Sequence, residues 1–277
     1  MDYKRVLTVQ DISCFGQCSL TVALPIISAC GVETCILPSA VLSTHTGGFS
    51  GFTFRDLTDD IPAITSHWSK ENIDFDAIYT GYLGSKRQID LVAGMFATLG
   101  KPGALKIVDP AMADNGKLYY GFDEEFAQEM AKLCASADIV LPNITEACFM
   151  TGMEYKSEYD ESYIASLLSA LEAKGMKNVV LTGVGYDAET TGVIVKTGET
   201  VKYYRHRRVP GGCHGTGDVF ASAFTGALLN GFGEFDSARI AADFTLSCIE
   251  KTLGDDSHKY GVKFELAIPE LIRMLGK

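Results

Sequence analysis

Leu105-Lys106-Ile107-Val108-Asp109-Pro110 is the stretch on which the fold turns. A short apolar run ends on an acid and a proline, the form of a buried strand entering a loop. The same form recurs at Asp138-Ile139-Val140-Leu141-Pro142-Asn143 and at Asn178-Val179-Val180-Leu181-Thr182. Helical patterns lie between. One covers 123–134. Another covers 160–175, with Tyr163, Ile164, Leu167, Leu168 and Leu171 at helical spacing and Gly175 as the stop. Upstream, 6–9 reads as a strand followed by a turn-like 11–16, and 19–30 as a helix ending before Gly31. Residues 77–79 form a strand leading into Gly81, and a helix over 86–99 closes at Gly100-Lys101-Pro102. Strand, helix, strand in repetition means parallel βαβ units. The expected fold class is α/β, an open and mostly parallel sheet flanked by helices. Ligands of such sheets bind at the carboxyl ends of the strands. Asp109, Asn143 and Thr182 stand there, although each taken singly can be a turn or cap residue.

The pattern changes after Gly183. Residues 191–196 and 200–208 read as two short strands joined by Thr197-Gly198-Glu199. Residues 211–217 then precede three helical segments. No linker, low-complexity tract or repeat interrupts the chain. Its 277 residues are read as one domain, 1–277, with excursions near 33–55 and 112–122 that can cover a site.

Composition narrows the function classes. The chain carries 24 Lys+Arg against 35 Asp+Glu, a net charge of −11. That balance argues against a broad nucleic-acid or anionic-membrane surface. It leaves room for a local backbone site for a phosphate. The eight cysteines contain no CxxC pair and read as buried thiols of a reducing, cytoplasmic protein. The first apolar run is too short for a signal segment, and no stretch is long enough for a membrane span.

The strongest local signal is Pro210-Gly211-Gly212-Cys213-His214-Gly215-Thr216-Gly217-Asp218. A glycine-rich turn opens directly onto a helical run. Glycines let successive N–H groups converge, and the helix N-terminus adds partial positive charge, so the turn can hold a phosphoryl group. Asp218 can be a first-turn acid and no more, or the base that takes a proton from a substrate hydroxyl. Gly183-Val184-Gly185-Tyr186-Asp187-Ala188 matches GxGxxA, but a β-rich run follows it, which argues against a dinucleotide fingerprint. Walker-A and HExxH motifs are absent. The basic run 202–208 reads as a solvated strand near a nucleotide.

Gly215-Thr216-Gly217-Asp218 resembles the GTGD signature of the ribokinase superfamily. Val9-Gln10-Asp11-Ile12-Ser13, Ser43-Thr44-His45-Thr46-Gly47-Gly48, Gly81-Tyr82-Leu83-Gly84-Ser85, Asp109-Pro110-Ala111-Met112 and Pro142-Asn143-Ile144-Thr145-Glu146 resemble pyridoxal kinases, in the same order and over essentially the whole chain. The resemblance implies a ribokinase-like fold with a small lid, ATP and Mg²⁺ as cofactors, a monovalent cation as a further candidate, and a homodimer. It implies that Asp218 is the catalytic base and that Gly215, Thr216 and Gly217 form an anion hole. Asp11, His45, Thr46 and Tyr82 would line the pyridine pocket. Asp109, Asn143, Thr182 and Gly183 would face ATP, with Asp114 and Tyr119 from a lid over 112–122. Asp109 and Glu146 would serve the metal.

Two positions depart from that pattern. Asp11 stands where many pyridoxal kinases have Ser, and Thr44 where Asn usually precedes the His. Asp11 can pair with a protonated ring nitrogen or accept from the 3-hydroxyl. That resembles the hydroxymethylpyrimidine kinase branch of the same family. A non-catalytic ligand sensor on the same fold would keep the pocket and lose the base, and Asp218 argues against it. Cys213 can add reversibly to an aldehyde substrate or simply fill a tight loop.

Overall fold

The computed structural model describes residues 3–210 and 214–277, so Gly211, Gly212 and Cys213, with the aldehyde contact expected of that thiol, lie outside the described residues. The first half of the chain contains β1 (Arg5–Ser13), α1 (Leu20–Ala29), β2 (Glu33–Leu42), β3 (Phe54–Asp56), α2 (Ile61–Lys70), β4 (Phe75–Thr80), α3 (Lys86–Thr98) and β5 (Gly100–Val108). Then come β6 (Ala113–Asp114), β7 (Lys117–Leu118), α4 (Glu124–Ala135), β8 (Ile139–Val140), α5 (Ile144–Thr151) and α6 (Glu161–Ala173). The chain ends with β9 (Asn178–Val184), β10 (Thr190–Thr197), β11 (Thr200–Arg207), α7 (Thr216–Leu229), α8 (Glu234–Thr252) and α9 (Phe264–Met274).

Among the described residues the main sheet has nine strands in the order β11-β10-β9-β8-β5-β4-β1-β2-β3. The pairs from β2 through β1, β4, β5 and β8 to β9 are parallel, and β3, β10 and β11 add antiparallel edges. Side-chain alternation splits the core into two layers. Leu7, Val9, Ile78 and Val108 pack with α2 to α6. Val6, Ala77, Tyr79 and Ile107 pack with α1, α7, α8 and α9. The chain passes from β2, on one side of β1, to β4 on the other. That reversal opens a crevice at the carboxyl ends of the strands.

Several boundaries differ from those expected. Residues 33–42 are a strand of the main sheet rather than part of an excursion. Pro38 obscures the pattern, and the register shift opposite it, between Gln10 and Ile12, absorbs its missing donor. Residues 11–13 continue β1 instead of turning. β5 begins at Gly100, not Leu105, because a register shift lets four residues loop out between the pairs Phe75–Gly100 and Ala77–Leu105. Helices α2 and α5 lacked a sequence signal. α2 buries only Ile61, and α5 is a mostly buried eight-residue helix with little amphipathic contrast.

Gln88 shows how the core fixes a site loop. Its side chain is fully buried. Nε2 donates to Ser39 O at 3.0 Å and Thr58 Oγ1 at 2.8 Å, and Oε1 accepts from Gly84 N–H at 2.7 Å. One amide thus ties β2, the turn before α2 and the 81–85 loop. Gln88→Leu keeps the bulk and strands these partners, at a cost of about 1–3 kcal/mol. The melting temperature should fall by about 2–5 °C in a thermal scan. An unchanged value would mean that the loop holds itself.

Candidate active site

The carboxyl ends of the strands open into a cleft of about 680 Å³. Every site residue expected from the sequence within the described residues lines it, from Asp11 and His45 at one end to Thr182 and Gly183 at the other. The described lining includes no lysine and no arginine.

The first turn of α7 forms the floor. Gly215, its N-cap, has φ +77°, and a Cβ there would lie 1.8 Å from Gln17 O. Only glycine fits that turn. A Cβ on Gly217 would meet no atom within 4 Å, so the backbone there borders open space. Asp218 follows in the first turn, half-buried. Burial pushes its carboxyl up to about 7. The Ser19 N–H, hydrogen-bonded to it, opposes that push, and the charge of Asp11 adds to it. Ser19 is held at φ +53° as the N-cap of α1, a conformation that costs a non-glycine residue free energy. Its hydroxyl also reaches Asp11, which accepts from Ser13 Oγ at 3.0 Å. Burial raises the Asp11 carboxyl, and the two hydroxyls hold it back. Ser19 therefore joins the two acids, a role that no motif announced.

His45 is almost fully buried, yet it borders the cleft. Nδ1 accepts from Gly47 N–H at 3.1 Å, so Nε2 carries the proton and donates to Tyr260 O at 2.9 Å. Burial lowers its pKa, which keeps this neutral tautomer. Both nitrogens are spent on tying the 43–49 loop to the 258–261 loop. Its ring also lies 5.3 Å from that of His214. Thr46 is exposed at the rim, and Tyr82 stands against Phe122 at 5.5 Å.

At the other end, Asp109 directly follows β5 and Asn143 caps α5. Burial, then Glu146 and Asp218, push the Asp109 carboxyl up. Burial raises Glu146 to about 7 against backbone N–H donors. Its oxygens accept from Met112 N–H at 3.0 Å and Asn143 N–H at 2.9 Å. Asn143 Oδ1 accepts from Glu146 N–H, and Nδ2 donates to Ala113 O at 2.8 Å. Gly116 N–H donates to Thr145 Oγ1 at 3.1 Å. The first residues of α5 thus anchor the β6–β7 hairpin, a small flap that carries Asp114, Tyr119 and Tyr120 over the cleft. Asp114 spends its oxygens on Asn115. Thr182 N–H donates to Pro142 O at 2.9 Å, and Gly183 has φ +75°.

Three buried or half-buried carboxylates therefore act on one another with no lysine or arginine in the described cleft lining. Among the described residues no three His, Cys, Asp or Glu side chains converge as a complete ligand set. The donors suit a hard cation that keeps water or ligand oxygens in its shell. The sequence reading also missed the wall formed by Gly192 and Val193 of β10 with Ala242, Leu246 and Ile249 of α8. Those residues carry no polar signature. Within the basic run Arg207 pairs with Glu250 and Lys202 lies over the Phe235 ring, while His206 borders the cleft.

The family model for phosphomethylpyrimidine kinase matches residues 24–263. A candidate phosphomethylpyrimidine kinase from Bacteroides thetaiotaomicron is 37% identical and superposes with a TM-score of 0.93, covering 98% of this chain and 94% of its own. Another crystal form of that protein, solved with pyridoxal, gives 0.91 with 98% and 96% coverage. Pyridoxal kinase from Lactobacillus plantarum is 30% identical, with a TM-score of 0.90 and coverage of 98% and 97%. The pyridoxine/pyridoxal/pyridoxamine kinase of Bordetella avium is 28% identical over 238 residues, 82% of this chain and 78% of its own.

The fold opposes ionisation of Asp218, whose pKa of about 7 lies above the ordinary 3.8. The wild-type protein should therefore lose this increment of stability as pH rises from about 4 to about 7. Asp218→Asn removes the carboxyl and escapes that loss. Its melting temperature should match wild type near pH 4 and exceed it by a few degrees at pH 8. A difference that stays flat across the window would show that burial does not act on this group.

Proposed function

This chain belongs to the phosphomethylpyrimidine kinase family, and from that premise we propose that it transfers the γ-phosphoryl group of ATP to the 5′-hydroxymethyl group of a vitamin B6 vitamer (pyridoxal, pyridoxine or pyridoxamine), giving the 5′-phosphate and ADP. The observation that carries this reading is Asp218. It is a carboxyl near pKa 7, set in the first turn of α7 on the floor of a cleft with two different ends. The pyridoxal complex of the Bacteroides relative and the Lactobacillus pyridoxal kinase support the choice of alcohol.

In this reading the ring binds at the Asp11, His45, Thr46 and Tyr82 end. Tyr82 supplies an aromatic wall, and Asp11 accepts from the 3-hydroxyl or pairs with a protonated ring nitrogen. His45 shapes the pocket by tying two loops, since its nitrogens are already engaged. The 5′-hydroxyl oxygen attacks the γ-phosphorus as Asp218 takes its proton. The bond from that phosphorus to the bridging oxygen breaks, and ADP leaves. Gly215, Thr216 and Gly217 hold the transferring oxygens with backbone N–H groups and the helix end. The adenine lies against Val193, Ala242, Leu246 and Ile249, and Asn143, Thr182 and Gly183 border the phosphates. The hairpin with Asp114 and Tyr119 excludes water. Mg²⁺ would be held by Asp109 directly and by Glu146 through water, because the Glu146 oxygens already accept from backbone N–H groups. When bound, it neutralises phosphate charge.

The same proposal includes a single kinase domain over 1–277, a homodimer and a cytoplasmic location. Seven free cysteines and no disulfide among the described residues fit a reducing compartment. No helix among the described residues is long and apolar enough to cross a membrane. A second reading, hydroxymethylpyrimidine kinase, is favoured by Asp11, a charged acceptor where many pyridoxal kinases carry Ser, and by the family's own name.

A phosphorylation assay with Mg-ATP and the four alcohols separates the readings. Turnover of at least one B6 vitamer supports the first, and turnover of the pyrimidine alone overturns it. Asp218→Asn should lower kcat by about 10³-fold or more while nucleotide affinity stays within a few-fold. With wild type, kcat/KM should fall about tenfold per pH unit below pH 7, where the base becomes protonated, and level off above it. Gly217→Ala should fold normally, since its Cβ meets no protein atom, and should weaken turnover by crowding the anion site. Normal turnover in that variant would exclude the turn from the transfer step.

A further inference from the structure

The layer between the sheet and α7 is apolar over most of its area, with Val6, Ala77, Ala223 and Phe224 fully buried in it. Directly beneath the first turns of α7 it is not. Thr8 and Gln10 of β1, Tyr79 of β4 and Ser222 and Thr225 of α7 are all 0% exposed. Thr8 and Tyr79 are register partners, so their side chains leave the same face of neighbouring strands. Asp218, Ser222 and Thr225 lie four and then three residues apart, on one side of the helix. The polar groups are therefore stacked under the cleft floor rather than scattered.

The bonding in this set is incomplete. Gln10 Nε2 donates to Thr8 Oγ1 at 2.8 Å, and Ser222 Oγ donates to Asp218 O at 2.5 Å. Tyr79 OH, Gln10 Oε1 and Thr225 Oγ1 are buried without a closed hydrogen bond. Leaving a buried hydroxyl in that state costs about 1–3 kcal/mol, and Phe would fill the same space without that cost. The Tyr79 hydroxyl lies beside Ser222 and Gln10, and the charges of Asp109 and Asp218 both reach it. Among the described residues no other phenol is fully buried.

We propose that Tyr79 is a positioning residue for Asp218: its hydroxyl, beside Ser222 and Gln10, supports the first turns of α7 from below, where Ser222 Oγ donates to Asp218 O. The phenol never meets the substrate, since it is absent from the cleft lining. It acts by holding the base at the angle required when the substrate hydroxyl attacks. Alignment matters at that moment more than in binding. The inference rests on the kinase reading given above.

Tyr79→Phe tests it, alone and with Asp218→Asn. The expected result is a fall in kcat of about tenfold, with KM for the alcohol and for ATP within twofold and a melting temperature equal to or above wild type. In the Asp218→Asn background the same change should alter residual turnover by less than about twofold, because the group it orients is gone. An unchanged kcat, or an equal fall in both backgrounds, would overturn the proposal. Ser222→Ala is the second variant, expected to lower kcat in the same direction without changing either KM. If wild type phosphorylates none of the four alcohols, the kinase reading fails first, and the melting temperatures then decide the pair. A Tyr79→Phe shift that differs between the two Asp218 backgrounds at pH 8 keeps the coupling, and an identical shift overturns it.

Discussion

Negative charge gathered in one cleft without a protein cation is the constraint on which this structure depends. Asp11, Asp109, Glu146 and Asp218 all border the cleft, and no lysine or arginine stands among its described lining. Burial raises all four carboxyls. The protein compensates with dipoles instead of charges. Ser19 N–H and the α7 terminus serve Asp218, two serine hydroxyls serve Asp11, and backbone N–H groups serve Glu146. This arrangement leaves the site short of positive charge until ligands arrive. It suits ligands that bring positive charge with them.

The same groups that hold the acids also shape the cleft. Asn143 and Glu146 form a reciprocal cap at the start of α5, and their remaining polar atoms hold Ala113 and Met112 of the flap. His45 does the equivalent at the opposite end, tying Gly47 to Tyr260. Both ends are therefore tied by residues that also line the cleft. Ser19 joins Asp11 to Asp218 across the middle. The net charge of −11, which argues against a broad polyanion surface, is compatible with a phosphate site built from N–H groups.

Much of this was legible in the chain. The apolar runs ending in Asp109, Asn143 and Thr182 marked parallel strands and their carboxyl edge, because a strand buried on both faces must be apolar along its length. Gly215 to Asp218 marked a turn onto a helix, because only glycine fits against Gln17 O. Less legible were β2, broken by Pro38, and the short α5, whose mostly buried surface shows little periodicity. Ser19 was invisible as a site residue, since a positive φ in a non-glycine leaves no mark in the sequence. Ala242, Leu246 and Ile249 look like any core-facing helix.

The sequence by itself determined the alternation of strands and helices, the glycine turn and the identity of the acids. Each of these is set by local chemistry: periodicity, φ freedom and side-chain type. Tertiary structure alone decided which polar atoms are already engaged. His45 and Asn143 look like contacts in the sequence, and the structure adds that both also fasten loops at the cleft. Tyr79 looks like a strand residue and lies fully buried beneath the first turns of α7. Hydrogen-bond partners and burial depend on residues tens to hundreds of positions away, as the pair His45 and Tyr260 shows. No local pattern carries that information.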